Sequence, residues 1–218
     1  MARFILRRFF LLLLTMLLVS MAVFLIAESS PGNVARNVLG SFITPEQEAS
    51  FLAQTGLDKP IWLRYIYWLV GSDWHAESKI EMDLTKITTP KGFEEWWAEA
   101  DDGGLIRWKM EGDDLIAVVR KPDGTVVEQP DNDRWTTDAD GVSHFWGVDT
   151  QNHAVRWEKG AGEKVWTFVM GSGWMESAGG PKAYIPLKKG FLRGDPGLSM
   201  RTGRPVAKSL FIRLRNSL

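Results

Sequence analysis

Three histidines, His75, His144 and His153, and a run of carboxylates between Asp131 and Asp140 are the side chains with the widest chemical repertoire in this sequence. A zinc site needs three or four ligands converging in space, and these histidines are too scattered to form a ligand pair on one helix. The acidic stretch from Asp131-Asn132-Asp133 to Asp138-Ala139-Asp140-Gly141 has the composition of a calcium loop. Its EF-hand register, however, puts Thr136 first and Gly147 where a bidentate glutamate is required. Solvated turns are the expected outcome. The chain has no cysteine, which removes thiolate metal sites, cysteine nucleophiles and disulfides while leaving the compartment open. A phosphate-cradling G-x-x-x-x-G-K-[ST] loop is missing, and the Gly-rich AGGPK at 178–182 lacks both the spacing and the hydroxyl. Nor does a G-x-S-x-G elbow offer a serine nucleophile. The expectation is a non-enzyme with no catalytic, cofactor-binding or metal-ligating residue.

Tryptophan is the remaining candidate for binding chemistry. Most of the eleven tryptophans fall between Ser72 and Leu187, where exposed rings would offer a stacking platform for sugars or peptides. In strands, however, Trp108 between Arg107 and Lys109, and Trp157 between Arg156 and Glu158, point to the opposite face from their charged neighbours. A small Trp-filled core is therefore the preferred reading.

The elements that would carry these residues differ sharply along the chain. Phe9 to Ala27 is a run without a charged side chain, long enough as a helix to cross a hydrocarbon layer of roughly 30 Å. Arg3, Arg7 and Arg8 precede it, and Glu28 with the uncharged SSPGN stretch follows. The positive-inside rule then puts the amino terminus in the cytoplasm and residues after about 28 outside. A cleaved signal peptide fits less well, because its apolar core is usually about 7–15 residues and no A-x-A-like site precedes Glu28. The formal charge of −1 and pI of about 6.3 give no field for binding nucleic acid.

Ser29 to Phe42 reads as an extended connection. Thr44-Pro45-Glu46-Gln47 is a capping box for a helix over 45–55 stopped by Gly56, and a second helix starts near Pro60. Its aromatics Trp62, Tyr65, Tyr67 and Trp68 suit a headgroup-level environment or packing on a neighbouring helix. Phe93 to Ala100 reads as a short helix. After it come alternating runs at Ile106–Met110, Leu115–Arg120, Thr125–Glu128, Ser143–Val148, Ala154–Trp157 and Lys164–Met170, predicting an antiparallel meander of five to seven strands. Two strand-turn-strand segments about forty residues apart, GGLIRWKMEGDDLIAVV and GVSHFWGVDTQNHAVRW, leave an internal repeat open. From Pro205 onward an Arg-rich, weakly helical stretch closes the sequence.

Two blocks carry a family likeness. The first is MARFILRRFFLLLLTMLLVSMAVFLIAESSPGN followed by TPEQEASFLAQTGLDKPIWLRYIYWLVG, and the second is GFLRGDPGLSMRTGRPVAKSLFIRLRNSL. Together they resemble the start of the permeases of oligopeptide, dipeptide and nickel ABC importers. In that family the blocks nearly adjoin and lead into a second membrane helix; Gly194, Asp195, Gly197, Ser199, Gly203, Pro205 and Val206 match its Gly-Asp-x-Gly-x-Ser and Gly-x-Pro-Val stretch. The resemblance implies an inner-membrane transport subunit acting with a second permease subunit, ABC ATP-binding subunits and a periplasmic substrate-binding protein, in contact with the lipid bilayer. It also implies that ATP hydrolysis lies in a partner.

The expected class is thus α+β: one transmembrane helix over 1–28, a connection with short amphipathic helices over 29–71, and an inserted Trp-rich β-meander domain over 72–187. A family segment over 188–218 leads toward a second membrane helix that the sequence does not contain. A single-pass anchored periplasmic binding or scaffolding protein is the alternative.

Overall fold

The computed structural model describes residues 1–28, 31–40, 42–112, 114–159, 164–169, 173–178, 181–198 and 205–216. Helix α1 (Ala2–Ala27) is built from the apolar run and is exposed along almost its whole length. Its Arg3–Ile26 portion is long and apolar enough to cross a membrane. The connection expected to be extended instead contains helix α2 (Pro31–Leu39). Pro31 presets φ at the first helical position, and the buried Ala35 gives the helix a packing side. Helix α3 (Pro45–Thr55) starts with the expected reciprocal cap. The Gln47 N–H donates to Thr44 Oγ1 at 3.3 Å, the Thr44 N–H donates to Gln47 Oε1 at 3.1 Å, and Gly56 ends the helix at φ 74°. Helices α4 (Ile61–Leu69) and α5 (Asp73–Ile80) follow, and α5 was not foreseen.

Eleven described strands replace the expected five to seven. The first sheet is a five-stranded antiparallel meander in sequence order: β1 (Leu84–Thr88), β2 (Glu94–Glu99), β3 (Leu105–Glu111), β4 (Asp114–Arg120) and β5 (Val126–Pro130). A second sheet has the order β11-β8-β7-β6, from β6 (Thr136–Thr137), β7 (Ser143–Val148), β8 (His153–Glu158) and β11 (Pro181–Pro186). β9 (Lys164–Val169) and β10 (Gly173–Ala178) form a separate hairpin. The two segments considered as a repeat are the β3–β4 and β7–β8 hairpins, joined by a parallel bridge between Trp108 and Asp149.

The helix expected over Phe93–Ala100 is strand β2, with Lys86 opposite Trp96 and Ile106 opposite Ala98. Both faces of β2 are covered: Trp96 and Trp97 are each buried although adjacent residues point to opposite sides. A doubly covered strand loses the polar alternation that would have distinguished it from a helix. In the core, Trp108 meets Phe145 edge-on at 5.1 Å between centroids, and Phe145 stacks on Trp157 at 5.8 Å. A Cβ at Gly147 would lie 2.7 Å from the Trp108 ring, so the aromatic layer requires glycine there. Trp108 and Trp157 are buried as expected, with the Trp108 indole N–H donating to Asp131 at 2.8 Å.

Arg107 departs from the alternation argument, because it is buried as well. Its Nε donates to the Trp96 carbonyl at 2.5 Å and Nη2 to Asn152 Oδ1 at 2.6 Å, while its guanidinium lies 4.5 Å from the Trp97 ring centroid. Asn152, at φ 70°, also accepts from the Trp96 N–H and donates to the Glu94 carbonyl. This node ties the first sheet to the β7–β8 turn. Burial pushes the Arg107 pKa down, against the opposing charges of Glu95 and Asp149.

Candidate functional site

The described residues hold no group of three or more His, Asp and Glu side chains poised for a metal. His153 pairs with Asp149 at 2.9 Å, His75 contacts the Tyr67 hydroxyl, and His144 lies on β7 between Thr136 of β6 and Glu158 of β8. The Asp138 carboxylate accepts from the Asp140 and Val142 N–H groups, an ordinary side-chain-capped turn. Chemistry of another kind concentrates where the two ends of the β region return to each other.

Ser72, completely buried, makes that closure. Its N–H donates to the Lys188 carbonyl at 2.9 Å, its Oγ accepts from the Lys188 N–H at 3.0 Å, and its hydroxyl donates to the Pro186 carbonyl. The backbones on either side touch. A Cβ at Gly71 (φ 107°) would sit 2.7 Å from the Lys188 carbonyl oxygen and 2.5 Å from that of Lys189. One at Gly190 (φ 88°) would sit 2.8 Å from the Val70 carbonyl oxygen and closer still to the Gly71 nitrogen. Only glycine allows this approach. One residue further out, buried Asp73 accepts from Arg193 Nη2 at 2.6 Å, and Arg193 Nε donates to the Lys189 carbonyl at 2.6 Å.

The motif residues follow directly. Gly194 (φ 80°) ends a short 3-10 turn over Phe191–Arg193. The Asp195 carboxylate pairs with Lys86 Nζ at 2.7 Å and accepts from the Gly197 N–H at 2.9 Å, while Lys86 also pairs with Glu94 at 2.6 Å. Burial alone would raise the Asp195 pKa; the Lys86 hydrogen bond and the Gly197 N–H outweigh it and hold the carboxyl low. For Lys86, burial pulls down, and the hydrogen bonds it donates to Asp195 and Glu94 prevail to raise it. Burial and the nearby Arg64 charge push Lys188 down. Pro205 and Val206 fold back on this loop, through a bridge from Pro205 to Leu198 and a 3.0 Å bond from the Val206 N–H to the Gly197 carbonyl. Helix α6 (Val206–Arg215) starts there. Ser199 and Gly203 lie outside the described residues. An open cleft of about 270 Å³ lies between β1 and this loop, lined by Lys86, Glu94, Lys189, Arg193, Asp195 and Pro205.

The topology residues occupy the other end. Arg3, Arg7, Arg8 and Phe9 are exposed on the first turns of α1, and Ala27 is its last residue. Sequence reasoning singled out Asp195 but missed Ser72, Asp73, Lys86 and Arg193. The only local sign was that Gly71 and Gly190 flank the change in texture.

A family model described as "Binding-prot-dependent transport system membrane comp, N-term" matches residues 1–81. Over 72 residues, 33% of this chain, the sequence is 36% identical to "Dipeptide transport system permease protein DppB" of Escherichia coli strain K12 and to the protein of that name from Escherichia coli O157:H7. The aligned part spans 21% of those relatives' length. No solved structure matches the chain. The matched region covers α1 to α5, so this portion of the chain is similar to the amino-terminal region of binding-protein-dependent transport permeases, dipeptide permeases among them.

Proposed function

We propose that the chain is the membrane-embedded start of a permease subunit in an ABC importer that moves peptides or similar small solutes across the bacterial inner membrane. Its amino terminus faces the cytoplasm and the residues after about 28 face the periplasm, by the distribution of Arg3, Arg7 and Arg8 against Glu28. A second permease subunit, ABC ATP-binding subunits and a periplasmic substrate-binding protein complete the machine, and ATP hydrolysis belongs to those partners. The β region over 72–187 is an insertion between two permease blocks, placed where it contacts the binding protein or shields the translocation entrance.

The observation that carries the insertion reading is the contact between Gly71 and Gly190. An insertion into a working fold must leave and return at nearly the same point, and here the flanking backbones are in van der Waals contact. The test is purification of a tagged chain, expressed from its native locus, from membranes in mild detergent. Co-purifying ATP-binding subunits with ATPase activity are expected. A lone single-pass protein whose β region binds a ligand by itself would overturn the proposal in favour of an anchored periplasmic module.

A further inference from the structure

We infer that the apolar surface formed by exposed Trp62, Val70, Trp74, Phe191 and Leu192 around half-buried Trp68 is seated in the interfacial layer of a phospholipid bilayer, in the leaflet from which the carboxyl end of α1 emerges. The inference rests on α1 being a membrane span, and its argument is one of depth. α4 does not sit above the end of α1 but lies beside its last two turns. The Tyr65 hydroxyl donates to Ser20 Oγ at 3.3 Å, the Phe24 ring packs against Tyr65 at 5.3 Å and Trp68 at 5.8 Å, and Arg64 pairs with Glu28. At a rise of about 1.5 Å per residue, Ser20 lies about 10 Å nearer the membrane centre than Ala27. The Phe9–Ala27 run measures about 28 Å on the same basis, close to the hydrocarbon thickness of roughly 30 Å. There is no slack to lift Ser20 and Phe24 clear of the bilayer, so the helix touching them lies at the headgroup boundary.

The turn that follows the β region is held at the same depth. Trp68 stacks on Phe191 at 5.2 Å with 16° between planes, which carries Leu192 alongside. Leu192 is 68% exposed, Trp62 57% and Phe191 52%, whereas Tyr67 on the other side of α4 is buried in the β core. The patch therefore has one face committed to protein and one open. Trp68 joins it to Phe24 of α1, whose neighbours Val23, Leu25 and Ile26 are exposed. Its polar handles also fit the interface: the Trp74 indole N–H donates to the Gly71 carbonyl, and Arg64 and Glu28 sit at its edge.

The absence of native cysteine makes single-site labelling direct. The full chain carrying Leu192→Cys, tagged with an environment-sensitive fluorophore, would be reconstituted in phosphatidylethanolamine–phosphatidylglycerol vesicles. Leu17→Cys in the span and Val126→Cys on the exposed face of β5 serve as references. The expected result is blue-shifted emission from the Leu192 label, quenching by lipids nitroxide-labelled near the headgroup, and several-fold weaker iodide quenching than at Val126. Iodide access equal to that at Val126 overturns the inference. Shielding from both iodide and nitroxide lipid, as a covering protein surface would give, overturns it too. If lipid nitroxide quenches the Leu17 label but not the Leu192 label, the span stands and the seat on the leaflet falls. If neither is quenched, both fall.

Discussion

Replacing Gly190 by alanine tests the closure of the junction most directly. Gly190 has φ 88° and ψ 155°, in a region of backbone space that is essentially reserved for glycine and costs a substituted residue about 1–3 kcal/mol. The new methyl would also overlap the Gly71 nitrogen and the Val70 carbonyl, and backbone atoms cannot swing aside as a side chain does. Overpacking of that kind costs typically 1–3 kcal/mol, so the expected loss is about 2–6 kcal/mol. Gly124→Ala is the control. Its φ is also 88°, yet nothing lies within 4 Å of the added Cβ, leaving only a conformational cost of about 1–2 kcal/mol. At about 2–4 °C per kcal/mol for a unit of this size, tryptophan emission in mild detergent should melt roughly 4–24 °C lower in Gly190→Ala, against roughly 2–8 °C in Gly124→Ala. Hydrogen exchange should accelerate at the Ser72 and Lys188 amides in the first variant alone. Equal shifts in the two variants, with those amides unchanged, would refute the close approach of the two blocks.

Asp195→Asn should cost about 1.5–3 kcal/mol at neutral pH by removing the charged acceptor of Lys86. Because the folded Asp195 pKa is depressed, its contribution is present above the unfolded value of about 3.9 and is lost as pH falls through the folded one. Lys86 is raised, so its contribution is complete below the unfolded value of about 10.4 and is lost as pH rises through the folded one. A pH series of melts should therefore show a shallower acid limb in Asp195→Asn than in the parent. Arg107→Ala should cost about 3–5 kcal/mol in the same assay, since the Trp96 carbonyl and Asn152 Oδ1 lose a buried charged donor. A cost near 1 kcal/mol would show that the node is wet. For topology, Val126→Cys should react with a membrane-impermeant maleimide in intact spheroplasts, and labelling only after lysis would reverse the proposed orientation.

What could be read from the sequence was local. The apolar helix follows from composition, the α3 cap from four residues, and strands β3, β4, β7 and β8 from alternating runs bounded by turn residues. The failures share a cause, since each depended on a partner distant in sequence. The run predicted as a helix over Phe93–Ala100 is β2 because a second layer covers the strand's outer face, so Trp96 and Trp97 are both inside. Arg107 is buried because Asn152, forty-five residues away, reaches back to it. α2 gained a packing side at Ala35 that no periodicity announced. The Asp73–Arg193 pair joins residues 120 apart, and nothing near either residue marks it. Asp195 was named from a motif, whereas its partner Lys86 came to light only through the β1 register.

The same long-range contacts decide how the β region is attached. A domain hung on a flexible linker would keep its own core, yet Tyr67 of α4 and Ala76 and Ile80 of α5 belong to one cluster with Trp108, Phe145 and Trp157. α3 joins as well, through Ser50, whose hydroxyl donates to the Trp166 carbonyl, and through Gly56, where a Cβ would lie 2.8 Å from the Pro186 ring. Tyr67 and Trp68 are consecutive, one in the β core and the other against Phe24 of α1. The region over 72–187 is therefore packed onto α3, α4 and α5 and not hung on a linker, and the consecutive Tyr67 and Trp68 connect its core to Phe24 of α1.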